Sequence, residues 1–402
     1  MLREPVSVLT SLLILCSSGC LSRPSADGGP IVSDSAGVQI VLNKTAVWES
    51  GEEWTVSDVP LIQIGVREGD PAYQFVKVWE AKRLPDGRYI AGDDAARELR
   101  VFDSDGRHLV TIGGDGEGPG EFRALWGVGT YRGDSIYAFD YGLMRTSIFG
   151  PDGGFGRLVP NPVPGNYWMG AVFEDGSFFL TDAGGGRFEL PQGLHWVSAP
   201  VLVVSADGRE VDTLGVLPNQ QVLVGSTGVQ EARHLGNEAS GGPSGSGFFW
   251  WTSDRDEVRF YDRAGDLKRI IRRERERRPV TEEVKEAYKT GFLDYLGKEQ
   301  GMDAVAQMAP MLDAAVFAEE VPYFGTVLLD PIGYLWVQDY STPFFLNRTW
   351  SVFDPSGQWL GEVQMPSGLR VTDIGEGYVL GVTMDDVGVQ YLQSFRLERG
   401  EN

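Results

Sequence analysis

Alternating apolar and polar residues run through most of the chain, and residues 99–149 show the repeating unit most clearly. A strand around Val101 leads into a turn at Asp105 and Gly106, and a second strand covers residues 109–112. An Asp-Gly pair between two apolar runs predicts a tight β-hairpin, because glycine adopts the positive φ that the turn requires. The Gly-rich loop GDGEGPGEF and three further short strands follow. Four-stranded antiparallel units joined by Gly/Pro-rich loops are typical of the blades of a β-propeller.

The hairpin recurs along the chain and alternates with a second element. Further copies of the hairpin cover residues 145–159, 201–215, 258–271 and 350–363. The second element is a short apolar strand that ends in aspartate, and its copies end at Asp93, Asp140, Asp182, Asp254, Asp339 and Asp385. The elements recur at spacings of roughly 45 to 60 residues, near the period of propeller blades. The sequence therefore predicts an all-β fold, a six-bladed β-propeller of four-stranded antiparallel blades.

The last repeat ends after its third strand, so one strand of the sixth blade must come from elsewhere. Residues 54–65 read WTVSDVPLIQIG, and their ending is similar to the outer strand LVTIG of an earlier unit. An N-terminal strand in the last blade would close the ring and remove a sheet edge that invites aggregation. We therefore expect residues 54–65 to complete the sixth blade.

One gap between repeats is longer than the others and contains residues 272–321. Thr281 is a suitable N-cap, and apolar residues at helical spacing follow it as far as Leu296. Gly301 interrupts this pattern, and a second apolar series covers residues 305–316. The segment predicts a helical hairpin inserted between blades four and five. Its apolar stripes must pack on a surface, either a face of the propeller or a partner.

The sequence TIGGDGEGPGEF, followed by DSIYAFD and RTSIF, resembles the NHL repeat. In that repeat a GxGxGPGxF loop precedes a YVAD-like strand and an R-x-x-x-F strand. The preceding unit, with GDPAYQF and LRVFD, is similar but looser. As a whole the chain resembles the bacterial six-bladed β-propeller lipoproteins related to NHL-repeat proteins. The resemblance implies the propeller fold and leaves the activity open.

The beginning of the chain has the pattern of an export signal. Arg3 precedes an apolar core at residues 6–15 that is too short to span a bilayer, and the residues SSGC ending at Cys20 resemble a bacterial lipobox. We therefore expect residues 1–19 to be a lipoprotein signal peptide and Cys20 to carry the lipid. Ordinary secretory cleavage nearby is the alternative.

The mature chain is then expected to have two parts, a polar tether at residues 20–50 and the propeller at residues 51–402. Leu21 is not the aspartate that favours inner-membrane retention in lipoproteins. These features predict a lipid-anchored, extracytoplasmic protein of the cell envelope, at the outer membrane if the cell is diderm.

The chain carries a formal net charge of −22 at pH 7. Such a charge argues against binding of nucleic acid, and against binding of an anionic membrane by the bulk surface. Contact with the membrane is therefore expected only through the lipid anchor. The expected partner is a protein, a peptide or a glycan in the cell envelope.

Two groups of residues are candidates for ligand binding. Trp250 and Trp251 follow a Gly/Ser-rich stretch at residues 235–247, which is interpreted as a flexible loop. Aromatic rings beside such a loop are suited to stacking on a sugar, and burial in a strand is the alternative. The second group is a basic cluster that includes Arg272, Arg273, Arg275 and Arg277. It is suited to an acidic partner, and a self-neutralising, solvated surface is the alternative.

The chain offers no clear catalytic motif. Its histidines, His108, His195 and His234, are scattered, so a three-histidine zinc site is not expected. The aspartates that end the strands are expected to cap turns by accepting backbone N–H bonds. No cofactor is predicted, although a Ca²⁺ site built from aspartates stays open. These points favour a binding platform. The alternatives are a metal-dependent propeller enzyme, of the lyase or lactonase-type hydrolase class, with its site at the central channel, and a structural scaffold.

Overall fold

The computed structural model describes residues 29–231, 233–340 and 348–400. Four N-terminal strands come first: β1 (Ile31–Ser35), β2 (Val38–Asn43), β3 (Thr55–Val56) and β4 (Ile62–Ile64). Blade one contains β5 (Val78–Arg83), β6 (Tyr89–Asp93), β7 (Glu98–Phe102) and β8 (His108–Gly113), and blade two contains β9 (Leu125–Tyr131), β10 (Ser135–Asp140), β11 (Arg145–Phe149) and β12 (Phe155–Pro160). Blade three contains β13 (Tyr167–Val172), β14 (Phe178–Asp182), β15 (Gly193–Val204), β16 (Val211–Val224) and β17 (Gln230–Glu231).

The second half of the ring follows the same plan. After β18 (Arg233–His234), blade four contains β19 (Ala239–Ser244), β20 (Gly247–Thr252), β21 (Glu257–Tyr261) and β22 (Leu267–Arg273). Two helices, α1 (Glu282–Gln300) and α2 (Met302–Asp313), and the short strand β23 (Val316–Phe317) come next. Blade five contains β24 (Phe324–Leu329), β25 (Leu335–Asp339), β26 (Thr349–Phe353) and β27 (Trp359–Gln364), and blade six contains β28 (Arg370–Ile374), β29 (Tyr378–Met384) and β30 (Gln390–Glu398).

The sheets form a six-bladed β-propeller, which confirms the predicted fold. Each blade is an antiparallel sheet that runs outwards from its first strand. The first strands of neighbouring blades contact one another, β5 with β9 and β28, and β9 with β13. They therefore surround the central channel. Apolar side chains fill the spaces between the blades; Leu99, Phe122 and Ile136, for example, join blades one and two.

The ring is closed by the N-terminal strands, as the sequence predicts. Ile64 of β4 pairs with Leu392 of β30, and Val56 of β3 pairs with Leu397 of the same strand. Trp54 is only 3% exposed and packs against Trp336 of blade five. The N-terminal segment thus supplies both the missing strand pairing and part of the core.

Part of the predicted tether at residues 20–50 has a defined structure instead. Strands β1 and β2 form a hairpin, and β2 pairs in parallel with β22 at the outer edge of blade four. Asn43 anchors this hairpin, because its Nδ2 donates to Gly357 O (3.0 Å) and its Oδ1 accepts from Trp359 N (2.8 Å). Ala36 and Gly37, both at positive φ, form the turn of the hairpin. The predicted signal peptide and Cys20 lie outside the described residues.

The helical hairpin lies between blades four and five, as predicted. The Thr281 hydroxyl accepts a hydrogen bond from Val284 N (3.3 Å) and thereby caps α1. Gly301, at a φ of 85°, separates α1 from α2. Within residues 29–231, 233–340 and 348–400, α1 and α2 are the α-helices.

The hairpin packs on the propeller rather than extending from it. Tyr288 of α1 is buried with Leu235, and Tyr340, the residue after β25, packs against the same cluster. Near the other end of α1, Glu299 accepts a hydrogen bond from Gln390 Nε2 (3.1 Å). The hairpin therefore lies on the face of the ring where the second strand of each blade ends, here termed the upper face.

The Gly/Ser-rich stretch at residues 235–247 is not a flexible loop. It contains β19, the innermost strand of blade four, which pairs with β20 over its whole length. A Cβ atom at Gly241 would lie 2.2 Å from Phe249 O. Small residues are therefore required here by close packing near the channel, and their presence does not indicate mobility.

Candidate ligand-binding site

Aspartates at the ends of the second strands organise the upper face. Asp93 accepts hydrogen bonds from the backbone N–H groups of Val76, Lys77 and Ala95. Asp140 makes the equivalent bonds in blade two, to Arg123 N (2.8 Å) and other backbone donors. The predicted capping role is confirmed for these two residues, and it fixes the start of the neighbouring innermost strand.

A β-bulge follows each of these anchored positions and reorients one tryptophan. In blade one, Val78 pairs with Asp93 but Glu80 pairs with Gly92, so Trp79 is the additional residue. Blade two repeats this arrangement, and Trp126 is the additional residue between Leu125 and Gly127. Bulges are known to redirect side chains and are frequent beside functional sites.

Three tryptophans form a row near the channel on the upper face. The ring centroids of Trp79 and Trp126 lie 6.0 Å apart, and those of Trp126 and Trp168 lie 5.4 Å apart. Tyr141 stacks on Trp126 at 4.6 Å. Each tryptophan is the second residue of the first strand of its blade, so the row follows from the propeller repeat itself.

A cavity of about 560 Å³ opens beside this row, over blades two, three and four. Aromatic, amide and carboxylate side chains line it, among them Trp126, Trp168, Asp182, Gln220, Asn237 and Glu238. Both ionisable side chains in the lining, Asp182 and Glu238, are acidic. We refer to this cavity as the tryptophan pocket.

Polar contacts hold the walls of the tryptophan pocket in place. Asp182 Oδ1 accepts from Gly184 N (2.6 Å), and Gln220 Oε1 accepts from Gly185 N (3.0 Å), which fixes one rim. On the opposite rim, Arg277 Nη2 donates to Asn237 Oδ1 at 2.8 Å. The amides are thus oriented before any ligand arrives.

Glu238 is an exposed acidic residue of the pocket lining. Its backbone is fixed by two hydrogen bonds to Ser253, at 2.9 and 2.8 Å, while its side chain opens on the pocket. Loss of hydration among the surrounding groups raises the pKa of the Glu238 carboxyl. Burial, with a smaller contribution from the Glu238 charge, raises the pKa of Tyr288 to about 12 and also raises that of Tyr340.

Helix α1 covers the other half of the upper face. A second cavity of about 220 Å³ lies between α1 and blades one and six, and Trp79, Tyr295 and Arg370 line it. Arg370 donates to the backbone oxygens of Val78 and Trp79. Residues of α1 thus line this second cavity and do not line the tryptophan pocket.

The predicted aromatic candidates lie elsewhere. Trp250 and Trp251 belong to β20 and are 3% and 5% exposed. Trp250 Nε1 donates to Pro218 O (2.9 Å), and both rings pack in apolar clusters between blades. They are core residues, and they cannot serve as a stacking surface as hypothesised, because strand β20 turns both rings into the protein interior.

The basic cluster is neutralised within the chain. Arg272 pairs with Glu257, and Arg277 pairs with Glu320. Arg273 and Arg275 each pair with both Asp256 and Asp339. Arg273 is buried, and its side chain is 1% exposed. The hypothesis that these arginines attract an acidic partner is corrected by these contacts, since the guanidinium groups are already engaged by acidic side chains of blades four and five.

Sequence reasoning did not identify Trp79, Trp126, Trp168 or Glu238 as site residues. Aligning the repeats by their first strands would have shown VWEAKR, LWGVGTY and YWMGAV with tryptophan at the same position. Glu238 was hidden in the stretch interpreted as a flexible loop. Its position at the start of an innermost strand becomes visible only when β19 is recognised.

The described ranges contain neither a metal-ligand cluster nor a membrane-spanning helix. No three histidine, cysteine, aspartate or glutamate side chains among residues 29–231, 233–340 and 348–400 are arranged to hold a metal ion. The metal-dependent alternative therefore has no ligand set to name in that part of the chain. No helix in the described ranges is long and apolar enough to cross a bilayer.

Comparison with known proteins supports the class of fold. No protein-family model and no curated protein matches the chain. A Bacteroides fragilis protein described as exported is 12% identical with a TM-score of 0.50, covering 90% of this chain and 100% of its own. A DUF4221 family member from Bacteroides vulgatus is 12% identical (TM-score 0.49; 87% and 99% covered), and virginiamycin B lyase from Staphylococcus aureus is 8% identical (0.44; 86% and 99%). At 12% identity the Bacteroides fragilis match bears on the fold alone, and it agrees with the six-bladed β-propeller described above.

Proposed function

We propose that the protein is an extracytoplasmic, lipid-anchored β-propeller that binds a glycan in the tryptophan pocket. Its role is that of a binding platform: the propeller supplies a rigid ring, and one half of the upper face supplies the site. The predicted lipobox at Cys20 supports the anchored location, and its test is the intact mass of the membrane-extracted protein. Diacylglycerol on Cys20 is expected, and a soluble form that begins elsewhere would contradict the anchor.

The observation that carries the proposal is the composition of the pocket lining. Trp126 and Trp168 line the pocket, and aromatic rings there suit the apolar side of a sugar because they combine large contact area with defined geometry. Asn237 and Gln220 each carry both donor and acceptor atoms, which suits the hydroxyl groups of a sugar. A volume of about 560 Å³ lies within the range of small-ligand sites.

The test is titration of the purified mature protein with a panel of oligosaccharides, followed by calorimetry and by tryptophan fluorescence. Cello-, malto-, xylo- and chito-oligosaccharides and de-N-acetylated chito-oligosaccharides form the panel. Trp126→Ala and Trp168→Ala should each weaken binding by about tenfold or more through loss of ring stacking. Trp359→Ala is the matched control, because Trp359 packs near Arg273 in the outer strand of blade five.

The control variant should bind as the unmodified protein does, even if its melting temperature falls. Saturable binding to none of these sugars by the folded protein would contradict the proposal. Equal loss in Trp126→Ala and Trp359→Ala would show that the pocket is not the site.

A further inference from the structure

We infer that the ligand of the tryptophan pocket is a linear, extended oligosaccharide that also occupies the second cavity, beneath α1. The site then binds a segment of several sugar residues rather than a single sugar. The inference rests on the proposed function and specifies the length and shape of its glycan. It depends on the continuity of the tryptophan row, on the exposure of Trp79 and on the lining of the second cavity.

The tryptophan row runs from one cavity to the other. Trp126 and Trp168 line the tryptophan pocket, while Trp79 lines the second cavity. The ring centroids of Trp79 and Trp126 lie 6.0 Å apart, a separation at which aromatic rings are in contact. The successive spacings of 6.0 and 5.4 Å are similar to the length that one pyranose residue adds to an extended β-1,4-linked chain. Consecutive sugar residues can therefore follow the row out of the pocket and into the second cavity.

Trp79 is exposed in spite of its place on an innermost strand. It is 37% exposed, whereas Val78 and Ala81 of the same strand are 3% and 0% exposed. The β-bulge in blade one separates Trp79 from the regular pairing of its neighbours. An exposed aromatic ring that continues a row of aromatic rings is typical of a binding surface.

Trp79 and Trp126 are held in place by other side chains of the protein. Lys77 Nζ lies 5.1 Å from the Trp79 ring centroid, and Tyr141 stacks on Trp126 at 4.6 Å. Lys77 is fixed in turn by Asp94, at 3.2 Å. Side chains that are already oriented lose little conformational freedom when a ligand binds, so each further sugar contact adds to the affinity.

The charged side chains that line the second cavity have partners within the chain. They are Lys77, Asp294, Lys298, Glu299 and Arg370. Lys298 pairs with Asp294 at 2.8 Å, and Lys77 pairs with Asp94. Glu299 accepts from Gln390 Nε2 (3.1 Å), and Arg370 Nη1 donates to Trp79 O (2.8 Å).

The same cavity also presents an aromatic ring and a hydroxyl group, from Tyr295 and Thr383. A ring for stacking, a hydroxyl for hydrogen bonding and charges that are already paired suit a neutral, hydroxyl-bearing sugar residue. Both cavities thus accept the same kind of ligand, and the tryptophan row connects them.

The experiment compares the disaccharide and the hexasaccharide of each sugar series, because the hexasaccharide is long enough to reach both cavities. The extended, β-1,4-linked pairs are cellobiose and cellohexaose, xylobiose and xylohexaose, and chitobiose and chitohexaose with and without their acetyl groups. Maltose and maltohexaose form the curved, α-1,4-linked pair. Calorimetry gives the affinity and the stoichiometry for the unmodified protein, Trp79→Ala and Phe155→Ala. Phe155 is the matched control, because it is 42% exposed, lies on the outer strand β12 and lines neither cavity.

In at least one β-1,4-linked series the hexasaccharide should bind about tenfold or more tighter than the disaccharide, because linked units reach neighbouring subsites at a high effective concentration. One hexasaccharide should bind per protein. Trp79→Ala should remove most of this gain and leave the disaccharide affinity unchanged, while Phe155→Ala should behave as the unmodified protein does.

Equal affinity for the disaccharide and the hexasaccharide, or a gain that survives in Trp79→Ala, would overturn the inference and leave glycan binding intact. Two hexasaccharides per protein would show that the cavities are separate sites, which also overturns it. A gain confined to the maltose series would contradict the extended shape. Binding of no sugar in any series by the folded protein would refute both the inference and the proposed function.

Discussion

Arg273 joins blades four and five through charge rather than through apolar packing. Its Nη2 lies 2.9 Å from Asp256 Oδ1 and 3.3 Å from Asp339 Oδ1, and it also donates to Ser351. The ring of Phe353 lies within cation–π distance. Removal of Arg273 leaves two buried carboxylates to share Arg275, so one negative charge is no longer compensated, and such an uncompensated buried charge is costly.

Arg273→Met should therefore lower the free energy of unfolding by about 3–5 kcal/mol. Urea unfolding followed by fluorescence measures the loss. Arg67→Ala is the control, because Arg67 forms an exposed pair with Asp385 and surface pairs contribute little. Equal midpoints for the two variants would show that Arg275, which contacts both carboxylates, replaces Arg273 completely.

Glu238 should reduce the stability of the free protein at neutral pH. Its pKa is higher in the folded protein than in the unfolded chain, so folding disfavours the charged form. The stabilising contribution of the protonated carboxyl is complete below the unfolded pKa and is lost as the pH rises through the folded pKa. Because Glu238 is exposed and water screens its charge, Glu238→Gln should melt at only a slightly higher temperature than the unmodified protein at neutral pH.

The difference in melting temperature between the protein and Glu238→Gln should shrink towards zero at acidic pH. Thermal melts over the acidic to neutral range provide the measurement. Glu174 is an exposed glutamate outside the pocket, and Glu174→Gln should follow the unmodified protein throughout. A difference that grows on acidification would mean that the Glu238 carboxylate is stabilised by folding, which contradicts the assigned pKa direction.

At this scale the sequence identified charged and aromatic residues but not their partners. The arginines were visible as a cluster, yet Asp256 approaches Arg273 only after β21 and β22 have paired, and Asp339 only after two blades have come together. Capping by Asp93 and Asp140 was predictable because its donors lie in a local turn and in the adjacent strand of the same blade. The tryptophan pocket was not predictable, since it depends on contacts among three blades.

The helical insertion is an element that the ring does not need for strand pairing. Its apolar stripe covers Leu235, Phe317 and Tyr340, and its residues do not line the tryptophan pocket. Removal of the insertion therefore tests separately whether it contributes to stability and whether it contributes to ligand binding.

Replacement of residues 281–314 by a Gly/Ser linker should lower the melting temperature but leave a folded propeller that still binds sugar. The exposed apolar cluster accounts for the loss of stability. Circular dichroism, thermal melting and sugar titration are the measurements. Thr281→Ala, which removes only the cap of α1, should cost about 1 kcal/mol. Loss of sugar binding in the linker variant alone would place the insertion in the site.

Elements with strong local signals were predicted correctly, whereas two that depend on distant partners were not. The helices follow from Thr281, Gly301 and the apolar spacing between them. Strand β2 was assigned to a tether because its partner, β22, lies more than two hundred positions away. Strand β19 was interpreted as a loop because it is rich in glycine. The glycine at 241 is needed because Phe249 packs too closely to leave room for a side chain.

The closed ring is the property of the whole molecule that the N-terminal strands provide. A protein that begins after residue 45 lacks the β1–β2 hairpin but retains β3 and β4. One that begins after residue 65 leaves the outer edge of β30 without a partner, although β30 still pairs with β29. The first truncation should lower the melting temperature moderately, because it removes the buried contacts of Asn43. The second should aggregate or lose cooperative melting, because it exposes a sheet edge and removes buried Trp54.

Differential scanning calorimetry and size-exclusion chromatography distinguish these outcomes. Equal behaviour of the two truncations would show that β3 and β4 are not required for closure. The number of blades and the closing strand could be predicted because each repeat carries its own turn and aspartate signals. The face of the ring that binds a ligand could not be predicted, since every blade presents both faces in the same way.

Closure also imposes a waiting time during synthesis. Ile64 pairs with Leu392, roughly 330 positions further along the chain. At ~5–20 residues per second, the ribosome needs on the order of 20–70 s to make the second strand of that pair after the first. Throughout that interval the early blades have no closing partner, and their apolar N-terminal strand is available to other chains. Contacts between neighbouring chains therefore compete with closure of the ring until the last blade is complete.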